Sequence, residues 1–196
     1  MSTATPLPAA APEPEPTPDL KILWLRLATF IAVVGVLGSL HLSINMGLQA
    51  CPLCYYQRAF IMAAAGILAF GMFLDGVPPG AVSVLALAPS VAGLCIAGQH
   101  VRLEWAGDLE CPKGISGVLV APQESLIVFV LLVAALLGDL LHRKNYTVQG
   151  FGAVLLGVVF CTTSMRSVQR MDPPTRAYEK TEPDGCRKPY KKAEAN

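Results

Sequence analysis

Five apolar runs, each of membrane-spanning length and separated by short polar gaps, limit what this chain can fold into. They lie at about 22–48, 55–74, 81–97, 125–141 and 148–165. Each approaches or exceeds the roughly 20 residues that a helix needs to cross about 30 Å of hydrocarbon. Only 15% of the 196 residues are charged, and these gather at the two ends and in the gaps. No polar face is left to turn towards water, so the bilayer must act as the solvent. Backbone groups in lipid have to be satisfied within each segment, and no run alternates as a barrel strand would. The expected fold is an all-α membrane protein, an antiparallel four-helix transmembrane bundle plus a fifth transmembrane helix.

The gaps set the organisation. Residues 1–20 form a Pro/Ala-rich tail, with Pro12, Pro14, Pro16 and Pro18 at alternating positions, read as disordered and cytoplasmic. It lacks the basic start and small-residue cleavage site of a signal peptide, so the first run is expected to stay as an uncleaved anchor. Residues 21–145 hold four helices, 146–165 the fifth, and 166–196 a polar tail. Asp75 to Gly80 reads as a tight turn, and the stretch from Gln99 to Glu124 as the largest loop. A net charge of +1, with no basic stripe among aromatics, gives no reason to expect nucleic-acid binding.

Of the six cysteines, two stand in the run Ala50-Cys51-Pro52-Leu53-Cys54-Tyr55-Tyr56-Gln57-Arg58, where the second helix begins. Two cysteines at this spacing can close a small disulfide at a helix start, and Pro52 is tolerated there because its missing donor would be unpaired anyway. The helix N-terminus and Arg58, four residues on, are expected to favour a thiolate on Cys54. A guanidinium beside a thiolate at the membrane edge also suits a quinone carbonyl. The plainer alternative is a structural disulfide followed by a snorkelling arginine.

Gly38-Ser39-Leu40 through CPLCYYQR, followed by another apolar helix, resembles the DsbB/BdbC family of disulfide bond formation proteins, over about Leu25 to Leu141. The resemblance implies that Cys51 and Cys54 are the redox-active pair and that Arg58 contacts a quinone, ubiquinone or menaquinone. Gln57 matches the family's common tyrosine-glutamine-arginine form and is a further candidate for that contact. His100 resembles a histidine near the same site, although an interfacial histidine fits equally. The implied partner is a periplasmic thioredoxin-fold oxidase of the DsbA kind, and the implied location is the bacterial inner membrane with its redox loops in the periplasm.

The sequence departs from the family in two respects: it carries a fifth helix where the family usually has four, and the loop between the third and fourth helices holds only Cys111, where the family carries a pair. With five helices, the C-terminal tail shares a side with that loop, and some 20 residues of extended chain let Cys186 reach it. The expectation is a partner-facing disulfide between Cys111 and Cys186. Against it stand Arg166, Arg170, Lys191 and Lys192, since basic residues favour the cytoplasm. Cys95 and Cys161 fall inside apolar runs and read as small packing residues. Asp139 and His142, near the inner end of the fourth helix, are expected to reach water.

Three other functions are open to such a chain. A vitamin K epoxide reductase-like enzyme would carry its active pair late in the chain. A metal-handling membrane protein would use CxxC for soft cations and need further ligand pairs at the helix mouths, and no metal is expected. A structural protein would keep its cysteines permanently bridged.

Overall fold

The computed structural model describes residues 20–74, 76–168 and 183–190. The N-terminal tail through Asp19, and Arg170, Lys191 and Lys192, lie outside the described residues. Five α-helices follow one another: α1 (Leu20–Ile44), α2 (Pro52–Phe73), α3 (Pro79–Trp105), α4 (Ala121–Leu141) and α5 (Thr147–Ser167). A single 3-10 turn, Lys144–Tyr146, precedes α5. All five are long and apolar enough to cross a membrane. The chain is a helical membrane bundle. Prolines open the first turns of α2, α3 and α4, where an absent N–H costs no helical hydrogen bond.

The first four helices form a ring in which each packs on the next and α4 closes on α1. The fifth lies outside the ring and packs on α3, which is therefore enclosed by α2, α4 and α5. Leu68, Leu87, Phe129, Leu132 and Leu136 fill the core. Gly93 lets α3 and α4 approach, because the Phe129 ring occupies the space a side chain there would need. Phe30, Phe70, Phe73, Val148 and Phe151 point outwards, an apolar surface suited to lipid.

The helix ends differ from the sequence expectation in ways that bear on the site. The first helix stops at Ile44 instead of reaching Leu48, and α4 begins at Ala121 instead of Ser125. The third helix runs on to Trp105, well past Ala97, so the large loop shrinks to residues 106–120. This extension carries His100 into the bundle, where it is fully buried. Its polar ring nitrogens find partners there, which offsets the cost of burial and sets it beside the cysteines, one of the two positions the sequence left open.

Antiparallel succession places the α1–α2 connection, loop 106–120 and the chain leaving α5 at one end of the bundle. Asp139 is at the opposite end and does not reach water. It is fully buried, accepting from Ser83 Oγ at 2.6 Å and pairing with Arg143 Nε at 3.0 Å. A charge on α4 is tolerated because its oxygens are hydrogen-bonded and its countercharge lies four residues on, just past the end of the helix. His142 is exposed, with Nδ1 bonded to the Gly138 carbonyl at 2.7 Å.

Candidate thiol-exchange site

Cys51 is the N-cap of α2, and its sulfur accepts the Cys54 N–H at 3.3 Å. The two sulfurs lie 3.1 Å apart as free thiols, Cys51 buried and Cys54 partly so. The CxxC spacing achieves this by turning the first helical residues back over the cap. A hydrogen bond from the Cys54 thiol does most to hold the Cys51 pKa down, to about 4, against the opposing effect of burial, and His100 adds to it. The favoured thiolate is therefore on Cys51, not on Cys54 as the sequence suggested. The cap position, facing the exposed helix N–H groups, belongs to Cys51.

Arg58 reaches towards α1. Its Nε donates to Ser39 Oγ at 2.8 Å, while Nη2 donates to the Ser39 carbonyl at 3.0 Å and to Ser43 Oγ. Two serines one turn apart on α1 thus hold the guanidinium plane in a fixed attitude. Beside it opens a cavity of about 190 Å³ between α1, α2, α4 and loop 106–120. Cys54, Gln57, Arg58 and Cys186 line it among mostly apolar residues, including Ile61, Val128 and Phe129. Glu124, in the first turn of α4, accepts the Ile115 and Ser116 N–H groups at 2.8 and 2.7 Å and fixes the loop over the opening.

Cys111 and Cys186 are joined in a disulfide across a sequence separation of 75 residues, with Cα atoms 4.2 Å apart. Backbone pairing brings the tail there: Gln49 N–H donates to the Asp184 carbonyl at 2.7 Å, and Glu110 and Arg187 exchange hydrogen bonds at 2.8 and 3.0 Å. The segment 183–190 therefore straps together the α1–α2 connection and loop 106–120. His100 sits at the convergence. Its Nε2 is 3.4 Å from the Cys111 sulfur and 3.9 Å from the Cys51 sulfur, and its Nδ1 is 3.2 Å from Gln57 Nε2. One ligand atom each from Cys51, Cys54, His100 and Cys186 fall within 4.8 Å of one another.

All seven residues singled out in the sequence meet at this end of the bundle, but not in one cavity. Gln57 lines the cavity and also holds His100, whereas His100 faces the sulfurs and does not line the cavity. Sequence reasoning missed Ser39 and Ser43 as holders of Arg58; their four-residue spacing on α1, one turn below the CPLC run, was the available signal. It also missed that Cys95 and Cys161 join the other four cysteines in one cluster.

A dithiol beside a disulfide, around one imidazole and at the end of five membrane-spanning helices, defines a membrane thiol oxidoreductase. A profile of the family described as disulfide bond formation protein DsbB matches residues 21–124, and the chain belongs to that family. It is 28% identical over 115 residues to a probable disulfide formation protein of Chlamydia muridarum, covering 54% of this chain and 83% of that one. It is 33% identical over 98 residues to disulfide bond formation protein B 2 of Pseudomonas putida, covering 46% of this chain and 56% of the relative. A disulfide bond formation protein B of Marinobacter nauticus shares 33% identity over 86 residues, 41% of this chain and 50% of its own length. The chain thus spans only about half the length of the latter two. No solved structure matches. Most of α4, all of α5 and Cys186 lie beyond the family match.

Proposed function

We propose that the protein reoxidises a periplasmic thioredoxin-fold dithiol oxidase of the DsbA kind and passes the electrons to membrane ubiquinone or menaquinone. It would do so from the bacterial inner membrane, with the exchange site on the periplasmic side. The observation that carries this reading is the Cys111–Cys186 disulfide lying against the Cys51 and Cys54 thiols around His100.

Each exchange is a thiolate attack on sulfur through a mixed disulfide. Cys111 is the more exposed half of the outer bridge, so a partner thiolate attacks there and releases the Cys186 thiolate. Cys186, within 4.8 Å of both inner sulfurs, attacks Cys51 of the oxidised inner pair. Cys54 then departs as thiolate at the cavity wall beside Arg58. The partner's second thiol resolves its mixed disulfide and frees Cys111, which attacks Cys186, restores the outer bridge and releases Cys51. The partner has become a disulfide and the inner pair a dithiol.

With Gln57 Nε2 as donor, His100 Nδ1 accepts and the ring proton sits on Nε2, facing Cys51 and Cys111. The imidazole can stabilise either sulfur as it leaves. The cavity fits a quinone head: an apolar lining, a held guanidinium to meet a carbonyl oxygen, and Cys54 within the same wall. When bound, a quinone supplies the two-electron oxidising power, while the chain supplies position and charge.

The test is turnover of a reduced thioredoxin-fold dithiol by the full chain reconstituted with quinone. Wild type should oxidise the dithiol with matching quinol formation, and Cys54→Ala should not. Oxidation by Cys54→Ala at the wild-type rate, or dithiol oxidation without quinol, would overturn the proposal.

A further inference from the structure

The cysteines within the apolar helices carry an inference beyond this reaction. The helix that bears Cys161 lies outside the family match and outside the four-helix ring, and rests chiefly on α3. It runs parallel to α3 in a constant register. Tyr146 packs on Gly80, and Gly157 packs on Val91 and the Ala88 carbonyl, close enough that a side chain on either glycine would collide. The offset of Tyr146 from Gly80 and of Gly157 from Val91 is 66 positions, and the same offset carries Cys161 to Cys95. The two thiols meet across this interface. Cys161 is buried there, and both residues belong to the cluster that includes Cys51, Cys54, Cys111 and Cys186.

We propose that Cys95 and Cys161 form a third disulfide, which locks the fifth helix to the family bundle and so anchors the chain that delivers Cys186. Two thiols lose two protons and two electrons and gain one S–S bond. The electrons and protons go to a membrane quinone, which becomes quinol; for this oxidant the inference rests on the function proposed above. The glycines along the contact, Gly80 and Gly157, let the two helices approach closely, as a bond that requires Cα atoms within about 7 Å would need. A lock at this site has a clear use. Each member of the ring is held by two flanking helices, whereas α5 rests chiefly on α3 alone.

Lysines and arginines are placed so that complete tryptic digestion separates the sulfurs. Cys95 falls in 59–102, Cys111 in 103–113, Cys161 in 145–166 and Cys186 in 181–187, with Cys51 and Cys54 together in 27–58. The full chain in quinone-replete membranes is trapped with acid, alkylated under denaturing conditions and mapped without reductant. The expected result is peptide 59–102 linked to 145–166, with neither alkylated. In Cys161→Ala, Cys95 should become fully alkylated. Recovery of both wild-type peptides in alkylated form, while 27–58 changes oxidation state with quinone supply, would overturn the third disulfide and leave the proposed function standing. A 27–58 peptide indifferent to quinone would instead overturn the function, and a linked 59–102/145–166 pair would still establish the lock.

Discussion

Gln57 Nε2 donates to His100 Nδ1 at 3.2 Å, and both side chains are buried in the wall between the two cysteine pairs. A glutamine next to Arg58 in sequence therefore reaches the sulfurs through an imidazole on another helix. Gln57→Leu removes the donor that holds the ring proton at Nε2. We expect thiol exchange between the pairs to slow about tenfold, as loss of about one buried hydrogen bond would give, while quinone affinity changes little. Rapid acid quenching of the Cys51–Cys54 oxidation state measures it. An unchanged exchange rate would exclude a role for the tautomer.

The reduced inner pair should show an acid-resistant thiolate on Cys51. Its pKa is lowered from the ordinary value of 9.0 to about 4, first through the hydrogen bond from Cys54. Since the folded value lies below the unfolded one, the associated stability is fully present above pH 9.0 and is lost as pH falls through about 4. Alkylation of Cys51 in the reduced protein should thus continue at pH 6, where an ordinary thiol is nearly inert, and fade towards pH 4. A titration midpoint near the ordinary thiol value would contradict the capped geometry.

Replacing Arg58 tests the held guanidinium. Its hydrogen bonds to Ser39 and Ser43 use a planar fork that lysine cannot reproduce. Arg58→Lys should raise the KM for quinone about tenfold with a smaller change in partner KM. The paired change Ser39→Ala with Ser43→Ala should move the same parameter in the same direction, because it frees the fork without removing the charge. Steady-state kinetics at varied quinone decides the matter.

The far end of the bundle offers a test of stability separate from chemistry. Asp139 is fully buried against Ser83 and Arg143. Asp139→Leu leaves the arginine without that carboxylate, a loss on the order of 3 kcal/mol for a buried pair. Thermal unfolding in detergent should shift downwards, with turnover per folded molecule retained. Loss of turnover without loss of stability would point to a proton path through this carboxylate.

Much of this arrangement could be read from the chain before its fold was known. The apolar runs gave the five helices because lipid permits few alternatives, and CPLCYYQR located the inner pair because a CxxC at a helix start brings its sulfurs together. The shortage of a loop cysteine, combined with an odd helix number, led to Cys186. Helix ends were less legible, since a stretch that mixes polar and apolar residues, such as Gln99 to Glu104, looks like a loop until its partners are known. The thiolate was assigned to Cys54 because sequence spacing reveals Arg58 but not that arginine's preference for two serines on α1. Cys95 and Cys161 gave no local hint at all, as their meeting depends on the register of α5 along α3.

The strap that bears Cys186 has a consequence for biosynthesis. Loop 106–120 is made early, yet its cysteine has no bridge partner until α5 and the segment that carries Cys186 have followed it. A ribosome still working on α5 holds a chain with an inner redox pair and no outer one. On the function proposed above, the route from a client dithiol to the inner pair opens only once the segment bearing Cys186 has joined loop 106–120.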